Sequence, residues 1–162
     1  MEKSHQPIVK QQMLYNVPVT RVFEAFVDPR ITTKFWFTHS DGRLEIGKDV
    51  NWEWRIYGCS TSVRVLEIET NRRIVIEWGD TDKRSTVRWT FDPRSDETTL
   101  VTVENFGFSG STDEIIREAI DSMGGLSLVL ANEKALLEHN INLNLIRDHA
   151  PDAIVSGDDA EF

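Results

Sequence analysis

A long amphipathic helix near the end of the chain places the strongest constraint on the fold. The segment from Ser111 to Asn140 opens with a capping-box pattern, in which Ser111 stands three residues before Glu114. Apolar residues then recur at steps of three, four or seven: Ala119, Met123, Leu126, Leu130 and Leu137, with Ile116 and Ile120 widening the stripe. Because an isolated helix gains little stability from propensity, this stripe predicts a large apolar surface packed against it.

Two features interrupt the stripe. Gly124-Gly125 lies in the middle of the segment, where each glycine costs about 1 kcal/mol relative to alanine. The pair indicates either a kink or close crossing over the sheet, or a space left for a ligand. Glu133 falls seven residues after Leu126. We expect it either at the edge of the stripe, near water or an arginine, or as a buried functional carboxylate.

The rest of the chain is dominated by strand patterns. Residues 8–17 predict an edge strand, and two short helices follow in VTRVFEAFVDP and RITTKFWFT. From Asp41 onwards the hydrophobic period is two, and the out-of-phase Leu66 indicates a bulge. The predicted strands are 43–46, 50–56, 63–68, 73–78, 86–91 and 98–106. Short connections favour antiparallel pairing, so we predict an α+β fold with a curved sheet of six or seven strands wrapped around the C-terminal helix.

The pattern predicts one domain with flexible ends. Residues 1–7 are expected to form a flexible leader and residues 8–145 a single domain. Beyond that point the periodicity stops, and the end of the chain, PDAIVSGDDAEF, is acidic. Residues 146–162 are therefore predicted to be a disordered tail.

Composition excludes several classes of partner. The formal net charge is -9, from 27 acidic and 18 basic residues. Nucleic acids and anionic membranes both require a basic face, so neither is an expected partner. No apolar run approaches the roughly 20 residues that span a bilayer, and MEKSHQPIVKQQ lacks the apolar middle of a signal peptide. The single cysteine, Cys59, suits a reducing cytoplasm. Monomer and homodimer both remain open.

No motif for catalysis, metal binding or cofactor binding is present. The phosphate-binding patterns GxxxxGK[ST] and GxGxxG are absent, and so are HExxH and CxxC. The four histidines are scattered, and Cys59 has no neighbouring base in the sequence. We therefore assign no catalytic residue, no metal site and no cofactor.

Charged residues alternate with apolar ones along neighbouring strands. They are Glu53, Arg55, Arg64, Glu77, Arg88 and Glu104. One interpretation places them on the outer face as cross-strand ion pairs, each contributing under about 1 kcal/mol. The alternative turns some of them towards the helix, where a carboxylate and a guanidinium would bind or convert a polar, ketone-like ligand.

Several segments resemble a known superfamily. They are PVTRVFEAFVDPRITTKFWF, GRLEIGKDVNWEWR, VRVLEIETNRRIVIEWG, STVRWTFDPRSDETTLVTVENFGF and MGGLSLVLANEKALLEH. Together they are similar to the SRPBCC (START-like) superfamily over Ile8 to Asn140, and in particular to the subgroup related to activators of the heat-shock protein 90 ATPase. The resemblance implies a helix-grip (START/Bet v-like) fold with a deep cavity, and a role in the stress response.

Two positions depart from the family's pattern. That pattern has Gly-Trp in the last helix, whereas here Gly125 is followed by Leu126. Glu133 stands where the family places an apolar residue. The resemblance therefore implies a cavity of altered volume and polarity in this chain.

Three hypotheses for function follow. The first is a non-enzymatic module that binds an apolar or aromatic small molecule between the sheet and the last helix. Its candidate ligand-binding residues are Trp36, Phe37, Trp52, Trp54, Trp78, Trp89, Phe106, Met123, Leu126 and Glu133. The second, implied by the resemblance, is a partner of a chaperone that acts through its surface. The third is a polyketide cyclase- or hydrolase-like enzyme that uses a carboxylate such as Glu133 or Glu53. Because no paired catalytic groups are visible, binding without catalysis is the preferred hypothesis.

Overall fold

The computed structural model describes residues 6–155, and its centre is one antiparallel sheet. The strands are β1 (Val9–Tyr15), β2 (His39–Ser40), β3 (Asp49–Trp54), β4 (Cys59–Glu69), β5 (Arg73–Trp78), β6 (Ser85–Ser95) and β7 (Thr98–Phe106). Their order in the sheet is β1-β7-β6-β5-β4-β3-β2. Strands β2 to β7 thus pair with their neighbours in the chain, and β1 pairs with β7 at the far edge.

In the part of the chain that the structure describes, four α-helices accompany the sheet: α1 (Val19–Val27), α2 (Pro29–Thr32), α3 (Thr112–His139) and α4 (Leu145–Asp148). The predicted α+β helix-grip fold, with seven strands and a long helix near the C-terminus, is confirmed. Ser111 caps α3, because its side chain accepts a hydrogen bond from the backbone N–H of Glu114 at 3.2 Å. The predicted bulge is also confirmed, as a shift of register between Val65 and Glu67.

Two strand predictions were wrong. Residues 43–46 form no strand, because the backbone N–H of Leu44 bonds to the carbonyl of Val27 at 3.2 Å and its side chain enters the core. The sheet instead takes His39 and Ser40 as its edge. Strand β3 stops at Trp54, and a 3-10 turn over Arg55–Tyr57 follows it. Gly58 ends that turn with a φ of 63°, which glycine adopts without strain.

The apolar stripe of α3 is rotated from its predicted position. Ala119, Leu126, Leu130 and Leu137 are buried as expected. Ile116, Ile120 and Met123 are exposed, Ile120 by 66%. The side of α3 that faces the sheet begins with Ile115, Ala119 and Leu126. Successive residues of a helix are about 100° apart around its axis, so Ile116 and Ile120 point in a different direction from Ile115 and Ala119. The residues predicted to widen the stripe therefore face away from the sheet.

The chain beyond residue 145 also differs from its prediction as a disordered tail. Ile146 is buried in the core, and the hydroxyl of Tyr57 donates a hydrogen bond to the carbonyl oxygen of Arg147 at 2.8 Å. The backbone N–H of Val155 bonds to the carbonyl oxygen of Ile56 at 2.8 Å. The domain therefore extends at least to Val155. Residues 1–5 of the predicted leader and 156–162 of the predicted tail lie outside the described residues.

Polar contacts hold α3 along β1. The hydroxyl of Tyr15 donates to the carbonyl oxygen of Leu130 at 3.0 Å, and the Gln11 amide donates to the hydroxyl of Ser127 at 2.7 Å. Of the strands, α3 contacts β1 and β7 most closely. Side chains from other elements therefore cover the concave face of strands β3 to β6. No helix in residues 6–155 has both the length and the apolarity that crossing a bilayer requires.

Asn132 joins α3 to two loops from inside the core. Its side chain, only 2% exposed, donates to the carbonyl oxygen of Phe35 at 2.9 Å and accepts from the backbone N–H of Leu143 at 3.2 Å. Because an Asn132→Ala change leaves both backbone groups unpaired, we expect it to lower the free energy of unfolding by about 1–3 kcal/mol. Urea denaturation measures this loss. Arg117→Ala, on an exposed position of the same helix, is the control, and equal losses for both variants would contradict the role of Asn132.

Candidate ligand-binding cavity

A cavity of about 670 Å³ lies between one end of the sheet and the middle of α3. It is found where β3 and β5 end, where β4 and β6 begin, and where β7 ends. This volume is within the range of pockets that hold small molecules. The residues that form its walls are Trp36, Trp54, Trp78, Ser85, Asn105 and Phe108 on one side and Ser122, Gly125, Leu126 and Val129 of α3 on the other.

Aromatic rings form one wall. All five tryptophans of the sequence belong to a single group, the tryptophan cluster, with Trp36 at its centre. The ring centroid of Trp36 is 5.0 Å from Trp52 and 5.8 Å from Trp78. It is 6.4 Å from Trp54 and 5.9 Å from Trp89. Of the aromatic run at residues 35–37, Trp36 lines the cavity.

A hydrogen-bond network, here called the serine–asparagine network, crosses the base of the cavity. The hydroxyl of Ser122 donates to Oδ1 of Asn105 at 2.7 Å. Nδ2 of Asn105 donates to the hydroxyl oxygen of Ser85 at 3.0 Å and to the carbonyl oxygen of Thr86 at 2.8 Å. The indole N–H of Trp78 donates to the same Ser85 oxygen at 3.1 Å. Asn105 is 1% exposed and Ser85 8%, so the network is part of the folded core.

The C-terminal segment supplies a further wall. Ile146 and His149 border the cavity, and the rings of His149 and Tyr57 meet edge to face with centroids 6.0 Å apart. Carboxylates of Asp80, Glu118 and Asp121 stand at the cavity together with Lys83. Cys59 also lines it, and partial burial raises the pKa of its thiol. The thiol is therefore less readily ionised than a free cysteine, which disfavours a role as nucleophile.

The absence of a side chain at Gly125 helps to keep the cavity unfilled. A Cβ atom built on Gly124 or Gly125 would meet no atom of another element within 4 Å. The interpretation of this pair as a close crossing over the sheet is therefore wrong. Helix α3 continues through both residues, and Gly125 borders the cavity. The alternative interpretation, in which a missing side chain leaves space beside the helix, agrees with the structure for Gly125, whereas Gly124 is exposed to solvent.

The family model for "Activator of Hsp90 ATPase homolog 1-like protein" (AHSA1) matches residues 16–138, which are 123 of the 162 residues. The chain belongs to this family. The family resemblance drawn from the sequence is thereby confirmed. A search of curated proteins found no match to the AHSA1-like chain.

Solved structures share the fold of this AHSA1-like protein. Protein SSP2350 from Staphylococcus saprophyticus is 27% identical, with a TM-score of 0.71 over 85% of this chain and 96% of that chain. An HSP90 activator from Plasmodium falciparum is 18% identical, with a TM-score of 0.65 over 81% and 96% of the two chains. The di-domain ARO/CYC BexL of the BE-7585A biosynthetic pathway is 12% identical, with a TM-score of 0.71 over 82% of this chain and 46% of that one.

The candidate ligand-binding residues fall into three groups. Trp36, Trp54, Trp78 and Leu126 line the cavity. Phe37, Trp52 and Trp89 are buried behind that wall, and Phe37 stacks on Trp52 with centroids 4.5 Å apart. Phe106, Met123 and Glu133 lie outside the cavity lining. The structure thus brings six of the ten candidates together in one aromatic group, and Leu126 lines the cavity from the side of α3.

The cavity positions predicted for Phe106 and Met123 are wrong, for different reasons. Alternation along β7 turns Val101, Val103 and Asn105 inward, so Phe106 faces outward, with the guanidinium of Arg88 5.2 Å from its ring centroid. Met123 belongs to the exposed side of α3. The outer-face interpretation of the charged residues is confirmed for Arg88 and Glu104, which form an ion pair at 3.1 Å.

Sequence reasoning missed the polar residues of the cavity. Ser85 and Asn105 occupy inward positions in the alternating patterns of β6 and β7. A polar residue at such a position is a signal that could have identified both. Ile146 and His149 were missed because the last segment was expected to be disordered. No pattern in the sequence marks that segment as a wall of the cavity.

Glu133 is the most unusual ionisable group. Its side chain is 0% exposed, and neither carboxylate oxygen has a hydrogen-bond partner among residues 6–155. The hydroxyl of the neighbouring Tyr15 donates to the carbonyl oxygen of Leu130 at 3.0 Å, and it opposes the effect of burial on the pKa of Glu133 only in part. Burial raises the pKa of Glu133 well above its usual range. The carboxyl therefore keeps its proton to a higher pH than an exposed glutamate does, as a structural residue on the buried side of α3.

The buried carboxyl predicts a pH-dependent stability. In the unfolded chain Glu133 ionises near pH 4.3, whereas the folded protein keeps the proton to a higher pH. Between these two pKa values the unfolded state binds fewer protons than the folded state. The free energy of unfolding therefore falls as the pH rises, by up to about 1.4 kcal/mol per pH unit, until the pH exceeds the pKa of Glu133 in the folded protein. A Glu133→Gln variant keeps the shape without ionising.

We expect the free energy of unfolding of Glu133→Gln, relative to the unchanged protein, to increase steadily from pH 5 upwards. Denaturant unfolding at several pH values measures it. The comparison at pH 3 is the internal control, because both side chains are then almost entirely neutral in the folded and the unfolded protein. A difference that stays constant from pH 4 to pH 8 would show that Glu133 ionises normally in the folded protein.

Proposed function

We propose that this AHSA1-like protein binds an apolar, aromatic small molecule in the cavity between the sheet and α3, without catalysing a reaction on it. The observation that supports this most directly is the unfilled volume bordered by Trp36, Trp54 and Trp78. Aromatic rings offer a large apolar area and a defined geometry for stacking or edge contacts with another ring. A flat ligand of one to three rings suits the size and the walls of this cavity.

The positions of Glu133 and Glu53 disfavour a cyclase-like reaction that uses either carboxylate. Glu133 is sealed in the core away from the cavity lining. Glu53 lies on β3 beside Arg55, with 3.0 Å between Oε2 and Nε, and it too is outside the lining. A general acid or base must come within hydrogen-bond reach of the reacting group. The two carboxylates considered for a cyclase-like enzyme do not meet that requirement.

A second function is supported by the family rather than by the cavity. Membership of the AHSA1 family, together with a fold like that of an HSP90 activator from Plasmodium falciparum, suggests a surface role as partner of a chaperone. Such a role would fit a cytoplasmic protein of the stress response. Co-precipitation with a chaperone that persists when the cavity is filled would favour this function over the first.

The two adjacent glycines of α3 provide a matched pair of variants. A leucine side chain at position 125 would project towards the cavity, whereas position 124 is exposed to solvent. Replacing a helical glycine also stabilises the helix by up to about 1 kcal/mol. Loss of binding in Gly125→Leu would therefore not be explained by unfolding.

Tetralin, an uncharged hydrocarbon with one aromatic ring, is the probe. We expect it to shift the indole N–H resonances of the tryptophan cluster in a saturable way. Gly125→Leu should weaken this binding by at least about tenfold, and Gly124→Leu should leave it unchanged, because only the first fills the cavity. The measurement is an NMR titration of ¹⁵N-labelled protein. Equal effects of the two variants, or no saturable shift, would overturn the proposed function.

A further inference from the structure

The serine–asparagine network has only one possible direction. The amide of Asn105 faces the carbonyl oxygen of Thr86 at 2.8 Å, and a carbonyl can only accept. The atom of Asn105 at that position must therefore be nitrogen, since two oxygen acceptors would repel each other. The amide oxygen is then on the side of Ser122, whose hydroxyl donates to it at 2.7 Å.

This direction fixes the role of Ser85. Its hydroxyl oxygen accepts one hydrogen bond from Nδ2 of Asn105 and another from the indole N–H of Trp78, and an indole can only donate. Both lone pairs of the oxygen are thereby used. What remains is the hydroxyl proton, which has no acceptor among residues 6–155. Ser85 borders the cavity, so this proton is available to whatever occupies it.

We propose that Ser85 is a hydrogen-bond donor that selects aromatic ligands carrying a carbonyl-type acceptor oxygen. The inference rests on the proposed function and specifies its ligand class. The ring system would lie against Trp36, Trp54 and Trp78, and the ligand oxygen would accept the proton of Ser85. Ser85 binds the ligand and takes no part in a reaction.

The energetics of desolvation give this contact its selectivity. In the empty cavity, water can accept the hydrogen bond of Ser85. A ligand that displaces this water without offering an acceptor leaves a buried donor unpaired, which is unfavourable for binding. Ser85 is 8% exposed and its partner Asn105 is 1% exposed. Both are therefore buried too deeply for bulk water to supply a hydrogen bond that the ligand leaves unmade. A carbonyl oxygen replaces the water, whereas a methylene group of similar size does not.

1-Tetralone and tetralin test this inference, because they have the same rings and differ by a carbonyl in place of a methylene. In the unchanged protein we expect 1-tetralone to bind about tenfold more tightly. Ser85→Ala should remove most of that preference while leaving tetralin affinity within about twofold. Ser85→Thr retains a hydroxyl and should retain the preference. Ser60→Ala, a serine at the cavity outside the network, is the control and should change neither affinity.

The same NMR titration measures both affinities, and the dispersion of the spectrum shows that each variant is folded. If both ligands bind equally well to the unchanged protein, the cavity binds aromatic molecules and the role of Ser85 is overturned. Retention of the preference in Ser85→Ala also overturns it, because another donor, such as the indole of Trp78, must then hold the ketone. If neither ligand binds, the proposed function fails together with this inference.

Discussion

The packing of four tryptophan rings around Trp36 is the interaction on which the cavity depends. It joins the loop after α2 to strands β3, β5 and β6. These large rings fill the middle of the concave face of the sheet, while α3 lies along β1 and β7. At the end of the sheet where β5 ends and β6 begins, the cavity separates these rings from the middle of α3. The space there stays unfilled because rigid rings cannot spread to close it.

Helix α3 keeps that space open because it carries no bulky aromatic side chain beside it. Gly125 has no side chain, and Leu126 follows it where the family's pattern has a tryptophan. A tryptophan at that position would occupy part of the volume that leucine leaves. The last segment then closes the side of the cavity through Ile146 and His149. The cavity is thus a joint product of the sheet, the helix and the end of the domain.

Two kinds of buried polar group have different consequences in this protein. Asn105 has its amide satisfied by three protein partners, and it fixes how Ser85 faces the cavity. Glu133 has no such partners within residues 6–155 and lies apart from the cavity. The first arrangement is rigid and directional, as suits recognition of a ligand atom. The buried surroundings of Glu133 are unfavourable for a charged carboxylate and favour the neutral carboxyl. We therefore attribute the proposed recognition of a polar ligand atom to Ser85, which is held by Asn105, and not to Glu133.

The sequence by itself determined the α+β class, most strands, the bulge near Leu66 and the bounds of α3 to within one residue. These features follow from local periodicity, capping and turn residues. Only the tertiary structure decided which side of α3 meets the sheet, the outward position of Phe106 and the packing of residues 146–155. A period of two or 3.6 shows which residues share a face, but the partner of that face is set by long-range packing. The contact of Asn105 with Ser85 joins residues 20 positions apart, so it exists only once β6 and β7 have paired.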